Sequence, residues 1–329
     1  MTRQTRVSNA SMMSFPEKLG RFSWAMFIPM CLILAISIVV LYSAGGGAWR
    51  PFALSQLIKI VLGFGVFFFA AFTNIKTWIK SAYLIYAVAL ILIILVTFVG
   101  HTGMGAQRWL NLGFFHVQPS ELIKIALVLA LARYFAWMNS VELSQLKNYI
   151  VPGAMLLVPF LLIVAQPDLG TALSLGMITV GMFYIVGAQK KWFIIAIILG
   201  LMAAPLMWFG GLHDYQRDRI ITFINPDHDA QGAGYQINQA KIAFGSGGML
   251  GKGYMAGTQS QQSFLPEKQT DFIFTMLGEE FGFVGAFVLL ILYTVIILVL
   301  FRCAKTCRNR FGQLVCFGFM LNFFIYYFI

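Results

Sequence analysis

Charge is scarce in this chain. Asp and Glu together number 12 and Lys and Arg 23 among 329 residues, 11% in all, whereas 59% are hydrophobic. So little polar material cannot cover a soluble globule, which leaves a polytopic membrane protein. Cysteine is nearly as sparse. Cys31, Cys303, Cys307 and Cys316 lie in or near apolar runs, which excludes a disulfide framework, and a Cys-x3-Cys without nearby histidine is a poor zinc site. The histidines, His101, His116, His213 and His228, follow no metal-ligand spacing, so no metal site is expected. There is no low-complexity tract and no evident internal repeat.

Long apolar runs are what the chain has instead. A bilayer core of ~30 Å asks for roughly 20 apolar residues per helix, and nine stretches meet that: 24–44, 51–73, 78–100, 120–138, 149–166, 169–187, 192–211, 272–301 and 311–329. The fold class is therefore all-α, with a leader over 1–23 and a single transmembrane domain over 24–329. The leader lacks a small-residue cleavage site after a short apolar core, so the first run reads as a retained span. With the N-terminus cytoplasmic, fourteen Lys and Arg fall on inside segments, whereas the short outside loops hold only Arg50 and Arg108. The net charge of +11 thus mostly encodes topology and argues against a nucleic-acid partner.

Two outer segments break the pattern of short connections. The longer, 212–271 between the seventh and eighth runs, is of a length that is functional or disordered. Its "AGYQINQAKIAFG" (233–245) reads as a short amphipathic helix, with Tyr235, Ile237, Ile242 and Phe244 able to lie along the membrane surface. The shorter, "HTGMGAQRWLNLGFFHVQPS" (101–120), reads as irregular, with Trp109 at an interfacial depth and Ser120 capping the fourth helix after a proline.

Charged residues against apolar runs are either paired or functional. Glu121 and Lys124 share a helix face, as a structural ion pair or in contact with a polar substrate. Asp168, in "AQPDLGTAL", is placed either to cap the sixth helix or to face Lys124 across the bundle. In "LPEKQTDFIF" (265–274), Asp271 is again a capping candidate, yet Glu267, Lys268, Glu279 and Glu280 crowd the same helix and its approach. The two adjacent glutamates lie ~12 Å below Asp271 along the helix. They are expected to face a hydrated cavity or to pair with Lys59 or Lys124. Arg217, Arg219, Lys241 and Lys252 are the cations of the long loop; "GSGGMLGKG" (245–253) fails the Walker spacing, since Ser246 replaces the first glycine and Gly253 the hydroxyl residue. Flexible backbone near a ligand, with Lys252 or an arginine matching a phosphate, is the better reading.

Taken together, the stretch from "NPDHDAQGAGYQINQAKIAFGSGGMLGKG" through "GTQSQQSFLPEKQTDFIFTMLGEEFGFVG" (225–285), with "LYSAGGG" (41–47), "GAQRWLNLG" (105–113), "QPSELIKIAL" (118–127) and "QPDLGTAL" (166–173), resembles the SEDS (shape, elongation, division and sporulation) family of peptidoglycan glycosyltransferases. The wording is closer to its rod-shape branch than to its division branch. The resemblance implies polymerisation of lipid II on the outer face of the bacterial cytoplasmic membrane, with Asp271 as general base. It also implies that Arg108, Trp109, Glu121, Lys124 and Asp168 bind substrate; Arg217, Arg219, Lys252 and Glu267 are counted with them. A class B penicillin-binding protein and the MreC and MreD proteins are the implied partners. No cofactor is firmly implied, and a divalent cation stays open. The family has ten spans, and this sequence ends at Ile329 inside the ninth run. The competing class is a flippase or transporter of lipid-linked precursors, which a polar cavity in a helix bundle serves equally well.

Overall fold

The computed structural model describes residues 20, 22–103, 106–111, 116–211, 214–225, 229, 232–261 and 269–328. Within them the chain is helical apart from one small sheet, and seven helices are long and apolar enough to cross a membrane. Two compact units emerge: Phe72–Ile195 with Ile297–Ile329, and Ser23–Ala71 with Ala196–Ile296.

The first unit is built around α4 (Pro119–Phe135), whose Ile123, Ala126, Leu127, Val128, Ala130, Leu131, Ala132 and Phe135 are all buried. Apart from Leu122 and Ile125, which stay exposed, α4 meets protein along most of its surface. The run read as 120–138 yields a helix of 17 residues. Around α4 lie α3 (Ile75–Val99), α6 (Ile150–Ala165), α7 (Leu169–Val186) and α13 (Arg310–Phe328), with a short α5 (Ser140–Ser144) before α6. Phe135, Tyr149 and Phe183 close one end of this core in edge and tilted ring contacts with centroids 5.2–5.8 Å apart.

Small residues set how closely α13 approaches. A Cβ on Gly318 would stand 2.4 Å from Val128 Cγ1, and one on Gly181 of α7 would stand 2.6 Å from Leu321 Cδ1. Between membrane helices, where burial away from water offers no drive, such close packing is a main source of attraction. The segment after α3 read as irregular is a three-stranded antiparallel meander: β1 (His101–Gly103), β2 (Ala106–Asn111) and β3 (His116–Val117). His101 pairs with Trp109 and Leu110 with Val117. The hairpin satisfies locally the backbone groups that a loop between two spans would otherwise leave open.

The second unit contains α1 (Trp24–Ala44), α2 (Phe52–Phe72, ending at the boundary) and the start of α12 (Ile273–Thr306), together with α9 (Asp214–Ile224), α10 (Ala233–Ser246) and α11 (Thr258–Gln261). Phe27 of α1 packs among Phe64, Phe67 and Phe68 of α2. The run read as 192–211 becomes α8 (Lys190–Leu206) followed by a π turn over Met207–Gly211. The long loop is therefore largely helical where it is described. Its amphipathic segment forms α10 as expected, and Phe244 stacks on Phe274 of α12, 5.6 Å between centroids.

Because Gly318 sits in contact with α4, Gly318→Val should overpack the first unit and cost about 1–3 kcal/mol. Thermal unfolding of the detergent-solubilised protein measures the loss, and Gly312→Ala, against flexible side chains alone, should be milder.

Candidate functional site

In the first unit, a polar cluster gathers at the start of α4. Pro119 occupies the first helical position, where its missing N–H costs nothing, with Gln118 as the residue before it. Ser120, expected as the cap, is instead inside the helix and buried, because the helix begins at Pro119, two residues earlier than the serine reading requires. Glu121 and Lys124 do pair, with Nζ 2.8 Å from Oε1. The Tyr326 hydroxyl of α13 joins them, donating to Glu121 Oε2 and accepting from Lys124 Nζ, while the ammonium sits 4.5 Å from the tyrosine ring centroid. Burial is lopsided: the Lys124 side chain is 3% exposed and the Glu121 side chain 44%.

Asp168 makes no ion pair with Lys124. Its Oδ1 accepts from the Thr171 N–H at 3.3 Å, capping α7, and its Oδ2 accepts from Gln118 Nε2 at 3.1 Å. The tight "QPDLG" turn puts the carboxylate where the helix dipole and an orphan N–H both favour it, so the capping alternative holds. Gln118 nevertheless ties Asp168 to the residue from which α4 starts. Trp109 lies on β2, 39% exposed, with Arg108 just before it on the same strand; β2 packs on α3 and α4.

In the second unit the constellation is built on a broken helix. Gly282 interrupts α12 with φ 69° and ψ −164°, which removes the bonds that the Phe283 and Val284 N–H groups would make one turn back. The glycine loop after α10 fills the gap. Phe283 and Val284 donate to the Gly248 and Met249 carbonyls at 2.9 and 3.1 Å, and the carbonyls of Glu279 and Glu280 accept from Lys252 and Gly253 at 3.0 and 3.1 Å. Only glycine allows the fit: a Cβ on Gly251 would lie 2.1 Å from the Glu280 carbonyl oxygen, and one on Gly282 would lie 2.3 Å from the Gly251 nitrogen. "GSGGMLGKG" is thus a plug for a helix break.

The same loop supplies side-chain partners for Glu279, and both adjacent glutamates are buried. Glu279, fully buried, accepts from Lys252 Nζ at 2.8 Å and from the Gln259 N–H at 2.9 Å through Oε1. Its cation is the loop lysine, neither of the two expected from the sequence, because the loop folds back onto the helix. Glu280 Oε1 accepts from Ser43 Oγ at the end of α1, and Tyr254 donates to the Val39 carbonyl at 3.2 Å. The sequence offers no spacing signal for Ser43 or Tyr326, which lie 237 and 202 residues from their partners.

Asp271 is exposed in the turn before α12. The helix starts at Ile273, and the Met276 N–H reaches the Phe272 carbonyl, so Phe272 holds the capping position and Asp271 caps nothing. It makes no hydrogen bond to any described residue. Arg217 is half-buried on α9, and Arg219 follows on the same helix. Glu267 and Lys268 lie outside the described residues.

Residues 18–329 match the FtsW/RodA/SpoVE family, described as cell cycle proteins. The chain belongs to the FtsW/RodA/SpoVE family. Within it, the chain is 38% identical over 308 residues to the peptidoglycan glycosyltransferase MrdB of Escherichia coli, covering 92% of this chain and 81% of that protein. The probable peptidoglycan glycosyltransferase FtsW of Geobacter sulfurreducens is 32% identical, with 92% and 83% covered. A solved peptidoglycan synthase complex, studied for how it coordinates polymerization and crosslinking, contains a chain of the same fold, with a TM-score of 0.76, 27% identity and 92% and 83% covered. The Thermus thermophilus rod shape determining protein RodA matches with a TM-score of 0.65, 26% identity and 92% and 81% covered. As a member of this family, the chain is a multi-pass membrane protein.

The lopsided burial of the α4 pair fixes an order of mutational cost. Glu121→Leu strands a buried ammonium and should cost about 3 kcal/mol or more, Lys124→Met strands a carboxylate that reaches solvent and should cost less, and the double change should recover most of the loss. Thermal unfolding of the three variants tests the order.

Proposed function

We infer that this chain is a peptidoglycan glycosyltransferase that polymerises lipid II by inverting transfer. The reading places its active face outside the bacterial cytoplasmic membrane and gives Asp271 the role of general base. One observation carries the residue assignment: Asp271 is a carboxylate at the entrance to α12 that is exposed, caps nothing and has no described partner. The names of the relatives support the activity: one is named a peptidoglycan glycosyltransferase and the other a probable one.

The chemistry follows from what the transfer requires. As an acceptor sugar hydroxyl attacks the anomeric carbon of the donor, its proton passes to Asp271, which must come within hydrogen-bond reach of that oxygen. The carbon–oxygen bond to the diphosphate breaks on the opposite face, and the electron pair leaves with the diphosphate. One displacement inverts an α-linked donor to a β-1,4 bond, and no second carboxylate nucleophile is needed. The added negative charge calls for cations, for which Lys252, Arg217 and Arg219 are the candidates in the same unit. Arg108, Trp109, Glu121, Lys124, Asp168 and Glu267 are proposed substrate contacts. Asp168 and Lys124 serve there through groups already engaged at Gln118, Glu121 and Tyr326.

A class B penicillin-binding protein is the proposed partner, supported by the fold shared with a chain of a synthase complex that couples polymerization to crosslinking. Membership of an elongation assembly with MreC and MreD is part of the same proposal.

With its transpeptidase partner and lipid II, the purified protein should build glycan polymer, and Asp271→Asn should lower the rate by 100-fold or more, within the range of ~10²–10⁴ for a lost general base, while leaving thermal unfolding unchanged. Polymer formation on gels reads the result. Movement of lipid II across vesicles without any polymer would establish the flippase instead.

A further inference from the structure

We propose that Glu279 is a positioning residue for this transfer: from its buried site in α12 it holds the Lys252 ammonium ready to receive the departing diphosphate. The proposal rests on the glycosyltransferase reading and goes beyond it in assigning a role to a carboxylate that never meets substrate.

The pair is poorly explained as a structural clamp. Four main-chain hydrogen bonds already lock the glycine loop into the break of α12, and a buried ion pair contributes little that an apolar pair of similar size would not. What charge adds is direction. Glu279 is 0% exposed, whereas the Lys252 side chain is 25% exposed, so the anion is sealed and the cation is within reach of a ligand. Two of the three ammonium protons are in use, toward Glu279 Oε1 at 2.8 Å and Thr258 Oγ1 at 2.7 Å. No described acceptor takes the third. Glu279 keeps its own geometry through further donors, the Gln259 N–H and the Thr258 hydroxyl, at 2.9 and 3.2 Å. The carboxylate thus stays seated if the lysine shifts toward a second anion.

A lysine on a flexible stem is otherwise a loosely held point charge. Held by a fixed carboxylate, it needs little reorganisation when charge develops on the leaving diphosphate, and that condition makes an electrostatic contribution to the rate large. The step balances as written above: the acceptor proton goes to Asp271, the bond to the anomeric carbon forms, and the bond to the diphosphate breaks. The electron pair it releases is met by the Lys252 ammonium, which stays protonated.

The test uses the full chain with its transpeptidase partner, measuring polymerisation kinetics, inhibition by inorganic diphosphate, and thermal stabilisation by inorganic diphosphate. Glu279→Gln keeps an acceptor for Thr258 and Gln259 but loses the charge; it should lower kcat at least tenfold with little change in KM. Lys252→Met should do the same and weaken diphosphate inhibition at least fivefold, and Lys252→Arg should restore that inhibition. The double variant Glu279→Gln, Lys252→Met strands no charge, so it stays informative even where a single change unfolds the protein; it should be folded yet as slow as Lys252→Met. A double variant polymerising at the wild-type rate, or diphosphate inhibition equal in all variants, overturns the proposal. Should the wild-type protein bind diphosphate through Lys252 but build no polymer, the transferase reading fails and the cation assignment stands.

Discussion

A backbone group cut off from water must find a partner inside the protein, and the second unit is organised around meeting that demand at one place. Turning α12 at Gly282 leaves two N–H groups and two carbonyls without their helical partners. The loop after α10 supplies all four in one short segment, Gly248 to Gly253. From this exchange follow the glycines, the burial of Glu279 and Glu280 beside the loop, the seating of Lys252, and the start of α11 at Thr258. The break is also what lets a single helix carry a polar part toward Asp271 and an apolar part onward through Leu289 and beyond.

Two ion pairs among the described residues, Glu121–Lys124 in one unit and Glu279–Lys252 in the other, differ in which partner is buried. In the first, the lysine is sealed and the glutamate reaches solvent; in the second, the glutamate is sealed and the lysine is partly open. Each pair therefore lowers the cost of a buried charge while offering the other sign to the outside. Glycosyl transfer from a diphosphate asks for both signs, acceptors for sugar hydroxyls and protons, and donors for phosphate oxygens. Tyr326 adds a neutral donor to the first pair, so its carboxylate is directed by two groups from two helices.

Much of this was legible in the sequence. The apolar runs located the helices because the bilayer demands length, and the i, i+3 spacing located the Glu121–Lys124 pair because helix geometry brings those side chains together. Asp168 was legible only as a choice between a cap and a cross-bundle contact, since a turn of proline and glycine satisfies either. What spacing could not reveal was long-range closure: Ser43 beneath Glu280, Tyr326 over Lys124, and the loop lysine against Glu279. Glycine enrichment in "GSGGMLGKG" signalled close approach of backbone without saying to what, and the approach proved to be to another helix. The meander at 101–117 escaped because its strands are two to six residues long and carry no clean alternation.

The plugged break has a practical side. Glycine-rich loops ordinarily invite insertion of epitopes, fluorophores or linkers, since they bear few side-chain contacts. Here the main chain itself is the contact, so lengthening Gly248–Gly253 by even one residue would shift its carbonyls and amides out of step with α12 on both sides of the gap. A safer place to splice in a reporter is the exposed turn at Gln145, where short α5 ends and the backbone is extended.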